Sequence, residues 1–181
     1  KLPAIAHKLI QAGAIGVTCA KLGEAEVMAA AGVQSILIAN QIVGAGKIAR
    51  LVGLQRHAEV LACVDDAGNI AAIAAAARQA GVEQGLLIEV DTGMQRCGVA
   101  PGAATVALAR LVADTPGVRL RGLMGWEGHL AGMPAGEQKR AAVAGAVGLL
   151  TASADACRAA GLPIEIVSCG GSGTYAITAG L

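Results

Sequence analysis

Three short stretches of this sequence hold residue types whose spacing could support chemistry. The segment Gly170-Gly-Ser-Gly-Thr-Tyr175 places three glycines beside Ser172 and Thr174. Bare backbone N–H groups and hydroxyls in such a run form a cradle for an anion, phosphate above all. A flexible hinge between a strand and a helix has the same composition, and the loop alone does not separate the two. Arg96 lies between Gly93 and Gly98. A guanidinium held there can donate to a ligand oxyanion, or pair as an ordinary surface arginine with Glu89 or Asp91. Trp126 and His129 stand close in sequence, and either ring could stack on a planar ligand; a packed loop histidine is the plain alternative. Lys21, if desolvated, could hold a carbonyl compound covalently. The preferred reading is a helix-start lysine paired with Glu24 or Glu26.

These residues need elements to position them, and the chain alternates between helical stretches and short apolar runs. Helices are expected over Pro3–Ala12, Glu24–Ala31, Ala45–Leu54, Asn69–Ala80, Ala103–Ala113 and Gly136–Ala160. Strands are expected over Ala14–Cys19, Ser35–Ala39, Val60–Val64, Gly85–Val90, Leu120–Gly125 and Ile164–Ser168. The strands are continuous apolar runs, which marks a parallel sheet covered on both faces. Most helices close at Gly or Pro-Gly, as C-caps do. Repeated helix–strand units without GxGxxG or a Walker A sequence favour a (β/α)8 TIM-type barrel over a nucleotide-binding doubly wound sheet. In such barrels the working groups follow the strands at one rim. Here the strands are followed by Ala20-Lys21, Asn40-Gln41, Asp65-Asp66, the Asp91–Gly98 loop, Trp126–His129 and Cys169–Tyr175.

Composition narrows the class. A length of 181 residues suits one domain, residues 1–181, and 55% hydrophobic residues make a large core easy to build. The formal net charge of +1 gives no electrostatic footprint for nucleic acid or an anionic membrane. Every apolar run is broken before membrane-spanning length. The five cysteines, Cys19, Cys63, Cys97, Cys157 and Cys169, form no CxxC pair and no zinc spacing. They read as reduced thiols of a cytoplasmic protein, with Cys97 and Cys169 lining the site without acting as nucleophiles.

The run Glu89-Val-Asp-Thr-Gly-Met-Gln-Arg-Cys-Gly-Val99 resembles the loop of fold-type III pyridoxal-phosphate (PLP) enzymes, the alanine racemase-like barrels. Cys19–Glu26, Ile38–Gln41, Cys63–Asp66, Trp126–His129 and Ser168–Tyr175 narrow the likeness to the D-threonine aldolase and D-serine dehydratase family, the aldolase branch more closely. The resemblance covers essentially the whole chain, with its motifs in matching order. It implies that Arg96 hydrogen-bonds the cofactor's phenolic oxygen and that Trp126 or His129 lies near its ring; Arg96, Trp126 and His129 are the expected catalytic set. It implies that Gly170, Gly171, Ser172, Gly173, Thr174 and Tyr175 hold the phosphate. Gln41 and Ser168, in the same motifs, complete the expected cofactor-binding set. Two residues depart from the family pattern: Cys169 stands where Gly is usual, and Trp126 where Tyr is usual.

The resemblance further implies an incomplete barrel, lacking its first and last strands and a C-terminal β domain. The cofactor-bearing lysine is expected upstream of Lys1. A divalent metal is expected as second cofactor, with ligands in the missing C-terminal part and none in this chain. The expected activity is a lyase acting on a small D-3-hydroxy amino acid, D-threonine going to glycine and acetaldehyde, in a monomer or homodimer. The rivals are a D-serine or 3-hydroxyaspartate dehydratase or aldolase, an alanine racemase-like enzyme, and a non-catalytic PLP-binding protein, which Gly122-Leu-Met-Gly125 superficially suits.

Overall fold

A computed structural model of the chain describes residues 2–181. The elements are α1 (Pro3–Gln11), β1 (Val17–Cys19), α2 (Leu22–Ala30), β2 (Ser35–Gln41), α3 (Ala45–Leu54), β3 (Glu59–Val64), α4 (Ala67–Ala80), β4 (Gln84–Glu89), α5 (Ala103–Ala113), β5 (Val118–Met124), a 3-10 turn (Gly128–Leu130), α6 (Glu137–Ala159), β6 (Ile166–Ser168) and α7 (Tyr175–Thr178). The strands run in the order β1-β2-β3-β4-β5-β6, and β1–β2, β2–β3 and β5–β6 pair in parallel. All six expected strands and six expected helices are present. The first and last strands are shorter than expected, beginning at Val17 and Ile166. The 3-10 turn and α7 were not expected; each is too short to show a periodic apolar pattern.

The contacts group the chain into two compact units. One runs to Leu86 and takes in Val112–Arg119; the other comprises Leu87–Leu111 and Leu120–Leu181. In the first unit, α4 shows how sequence sets structure. Asp66 caps its start by accepting the Asn69 N–H at 2.9 Å. Ile70, Ile73, Ala74 and Ala77 form its buried stripe. Gly81, left-handed at φ 66°, ends it. Strand β3 is buried from Val60 through Val64, as a strand covered on both faces must be.

The pairing of β2 with β3 slips between Ile38 and Gln41. The irregularity bends the end of β2, where Asn40 donates to the Ala20 carbonyl at 3.1 Å and accepts the Gln41 N–H at 3.0 Å. It thus sets the direction in which Gln41 leaves the strand.

In the second unit, α6 buries Val143, Ala146, Val147, Leu150, Ala154 and Cys157. Steps of three and four keep them on one face. Leu120 and Leu123 of β5 are also fully buried, and each such side chain contributes about 1.5–3 kcal/mol. This packing fixes the strand ends from which the loops below depart. No helix of the described residues is long and apolar enough to cross a membrane.

Candidate active site

The loop after β4 is closed at its neck by backbone bonds. Asp91 N–H donates to the Val99 carbonyl and Val99 N–H to the Glu89 carbonyl, both at 2.9 Å. Inside the neck, one Asp91 carboxylate oxygen accepts the N–H groups of Gly93 at 2.9 Å and Gln95 at 3.0 Å. That turn holds Gln95 at φ 55°, the only non-glycine with positive φ among the described residues. Gly98, at φ +97°, packs against the neck so closely that a Cβ would sit 2.7 Å from the Asp91 nitrogen. The Cys97 thiol donates to Glu89 Oε1 at 2.9 Å.

The loop delivers the Arg96 guanidinium to the face of Trp126, 5.2 Å from the ring centroid. Such stacking stabilises by about 0.5–2 kcal/mol. Of the two surface partners expected for Arg96, the Asp91 carboxylate is taken up by loop amides, while the Glu89 charge does act on the guanidinium.

Trp126 follows β5 and meets the loop after β6 as well. Its indole folds back over Gly128, where a Cβ would be 2.6 Å from the ring. A Cβ on Gly171 would lie 2.7 Å from its Nε1. His129 is exposed and rests on the arginine loop, with its Nε2 3.2 Å from where a Cβ on Gly93 would be. Arg96 and the glycine loop therefore meet at one indole, while His129 rests on the arginine loop.

The glycine loop is fastened from inside. Thr174 is 2% exposed; its hydroxyl donates to Glu127 Oε1 at 2.5 Å and accepts the Gly171 N–H at 3.0 Å. The Gly170 N–H donates to Glu127 Oε2 at 3.3 Å. The N–H groups of Ser172 and Gly173 have no partner among the described residues. Ser172 is exposed, as is Tyr175 at the start of α7. Ser172, Gly173, Thr174, Tyr175, Lys139 and Arg140 line a cavity of about 240 Å³. Lys139, buried, donates to the carbonyls of Ala131 at 3.0 Å and Met133 at 3.1 Å. That pins the segment under Gly173, where a Cβ would lie 2.9 Å from the Ala131 oxygen.

Ser168 ends β6, half-buried, and its carbonyl accepts the Gly125 N–H at 3.0 Å. Gln41 ends β2 in the first unit and is half-buried there. Lys21 is exposed at the start of α2. Of the two partners expected for it, Glu26 is held by Arg50 at 2.5 Å, and Glu24 accepts the Lys21 backbone N–H at 3.3 Å. Two working groups were not singled out from sequence, Glu127 and Lys139. Glu127 stands inside a motif, but its partner is 47 residues away, so no local spacing could reveal it.

The titrations follow from these contacts. The Gln95 N–H foremost, with the Gly93 and Met94 N–H groups and His129, holds the Asp91 carboxyl below its ordinary range against the opposing effect of burial. Burial first, then the bond to Glu89, pushes the Cys97 thiol up. Burial and the nearby Glu127 charge push Cys169 up. Both thiols thus stay protonated at neutral pH, which disfavours nucleophilic roles.

Residues 1–179 match the profile of the alanine racemase N-terminal domain. The chain is 38% identical over 164 residues to 3-hydroxy-D-aspartate aldolase of Paracoccus denitrificans (strain Pd 1222), covering 90% of this chain and 42% of the relative. It is 36% identical over 174 residues to D-threonine aldolase of Arthrobacter sp, covering 96% and 46%. Its structure is similar to the crystal structure of D-threonine aldolase from Filomicrobium marinum, with TM-score 0.93, 37% identity, and 97% of this chain and 47% of that one covered. The chain thus spans less than half the length of the relatives it matches.

Proposed function

From the premise that this chain belongs to the alanine racemase N-terminal domain family, we propose that the protein carrying it is a PLP-dependent lyase of D-3-hydroxy amino acids. The observation that carries this reading is the single indole against which both Arg96 and the glycine loop are packed. On one side of that indole lies the Arg96 guanidinium; on the other lies the glycine loop, whose Ser172 and Gly173 amides have no partner among the described residues. We further propose that the six strands are part of an eight-stranded barrel, and that the five free thiols belong to a cytoplasmic protein.

The residues present fit PLP. The Ser172 and Gly173 N–H groups need acceptors, Ser172 adds a hydroxyl, and Gly171 and Gly173 let the loop backbone lie close against Trp126 and Ala131. With Tyr175 at the rim, these groups would hold the phosphate. Ser168 is assigned to the same cofactor as a group at a strand end. When bound, PLP supplies an electron sink for the electrons released as a bond to the substrate α-carbon breaks. Arg96 places positive charge and donors where the cofactor's phenolic oxygen would sit. Trp126 holds that guanidinium flat and closes one side of the pocket to water. His129, beside Gly93, offers an imidazole whose ring nitrogens can donate or accept a hydrogen bond at the rim of the site. Among the described residues no three His, Cys, Asp or Glu cluster to hold a metal. The divalent metal that the likeness implies is assigned to ligands outside these 181 residues, and no step is derived through it.

The substrate placed first is D-threonine, cleaved to glycine and acetaldehyde. The similarity to the Paracoccus protein supports a second, 3-hydroxy-D-aspartate, whose cleavage yields glycine and glyoxylate. The test is the visible absorption of the full-length protein with PLP, then borohydride reduction and peptide mapping, then product analysis on D-threonine, 3-hydroxy-D-aspartate and D-serine. A reducible band labelled on a peptide ending just before Lys1, with glycine as product, is expected. Label on Lys21 would move the attachment point, pyruvate from D-serine alone would make the protein a dehydratase, and a colourless protein that takes up no PLP would end the reading.

A further inference from the structure

The buried carboxylate of Glu127 has no evident place in the chemistry above. It is 1% exposed and pairs with no cation among the described residues; the groups bonded to it are the Thr174 hydroxyl and the Gly170 N–H. A buried, unpaired negative charge beside a loop meant for a dianion opposes binding by simple Coulomb repulsion, so charge complementarity does not account for it. Its geometry does. Glu127 takes the Gly170 N–H directly and the Gly171 N–H by way of Thr174, whose hydroxyl both accepts and donates. With two of the four successive amides from Gly170 to Gly173 drawn inward, the Ser172 and Gly173 amides remain unengaged at the 240 Å³ cavity.

Resting on the phosphate reading of this loop, we infer that Glu127, acting through Thr174, is a positioning residue that selects which amides of the glycine loop face the ligand. The two side chains form a latch: Glu127 comes from the loop after β5 and Thr174 from the loop after β6. The inference also revises the expected roles within the loop. Thr174 and the Gly170 and Gly171 amides organise it, and Ser172 and Gly173 bind.

The latch predicts a defect confined to the phosphate. In the full-length protein, equilibrium binding of PLP is compared with that of pyridoxal, the same ring without the phosphate. The proteins are wild type, Glu127→Ala, Glu127→Gln, Thr174→Val and Thr174→Ser. Wild type prefers PLP. Glu127→Ala and Thr174→Val lose PLP affinity by about tenfold to a hundredfold, the range for a charge-assisted hydrogen bond, and keep pyridoxal affinity. Thr174→Ser, which retains the hydroxyl, stays within about threefold of wild type. Should Glu127→Ala fail to fold, Glu127→Gln and the Thr174 pair carry the comparison. An unchanged ratio of PLP to pyridoxal affinity, a parallel loss of both compounds, or a Thr174→Ser protein as weak as Thr174→Val overturns the latch while leaving the PLP assignment in place. A wild-type protein that binds neither compound overturns the PLP assignment itself.

Discussion

The arginine loop and the glycine loop face the same indole but are held in different ways. The arginine loop is tied largely by residues within a dozen positions: Asp91 accepts from Gly93 and Gln95, Cys97 donates to Glu89, and Val99 closes the neck. The glycine loop depends on a carboxylate 47 residues earlier and on a backbone segment pinned by Lys139. A locally tied loop keeps its shape wherever its own sequence is intact. A remotely tied loop keeps its shape only while the segment after β5 stays in place, which couples ligand binding to the packing beneath.

The sharpest way to break this contrast is at the two crowded glycines. Gly98→Ala meets two penalties at once, a φ of +97° and a Cβ 2.7 Å from the Asp91 nitrogen, and should cost about 2–4 kcal/mol. Urea unfolding of the full-length protein measures it. Gly102→Ala is the control, with φ +79° and nothing within 4 Å, and should cost about 1 kcal/mol. Equal losses at the two sites would mean the neck yields and the local tie is weak. Next in size, Gly173→Ala suffers from crowding alone, its Cβ 2.9 Å from the Ala131 oxygen. It should cost about 1–2 kcal/mol and displace a ligand-facing amide, so PLP affinity falls out of proportion to stability.

A smaller effect is expected at the shared indole. Arg96→Lys keeps the charge but not the flat guanidinium, so it should lose about 0.5–1 kcal/mol of stability and weaken PLP binding with little change in pyridoxal-versus-PLP preference. A loss of that preference would place Arg96 at the phosphate instead of the ring.

The same contrast explains what could be read from sequence. The six strands, their order and the rim loops were legible because continuous apolar runs and helix-capping glycines are local signals. So was the arginine loop, with glycines flanking Arg96, and so was the glycine run as the loop that follows the last strand. The division of labour within that run was not legible. Thr174 reads as a ligand donor from its neighbours alone, and only the fold shows its hydroxyl committed to Glu127. The pairing of Glu26 with Arg50, 24 residues apart, was missed for the same reason.

The smallest expected effect tests the local tie by pH. In the folded protein the Asp91 carboxyl lies below its ordinary value of 3.8, because the charged form accepts the Gln95 and Gly93 N–H groups. A depressed folded-state pKa means the contribution is fully present above the unfolded pKa and is lost as pH falls through the folded one. The loop should therefore hold at neutral and mildly acidic pH and loosen only below about pH 4. Protection of the Gly93 and Gln95 amides, followed by NMR on acidification, reads this directly. Asp91→Asn cannot ionise but keeps a carbonyl acceptor, so it should hold those amides more weakly and show no acid limb. A midpoint well above the ordinary carboxylate range would show that a group other than Asp91 controls the loop. Loosening shared with the Gly170 amide would show that the two loops are coupled through Trp126 and not separately tied.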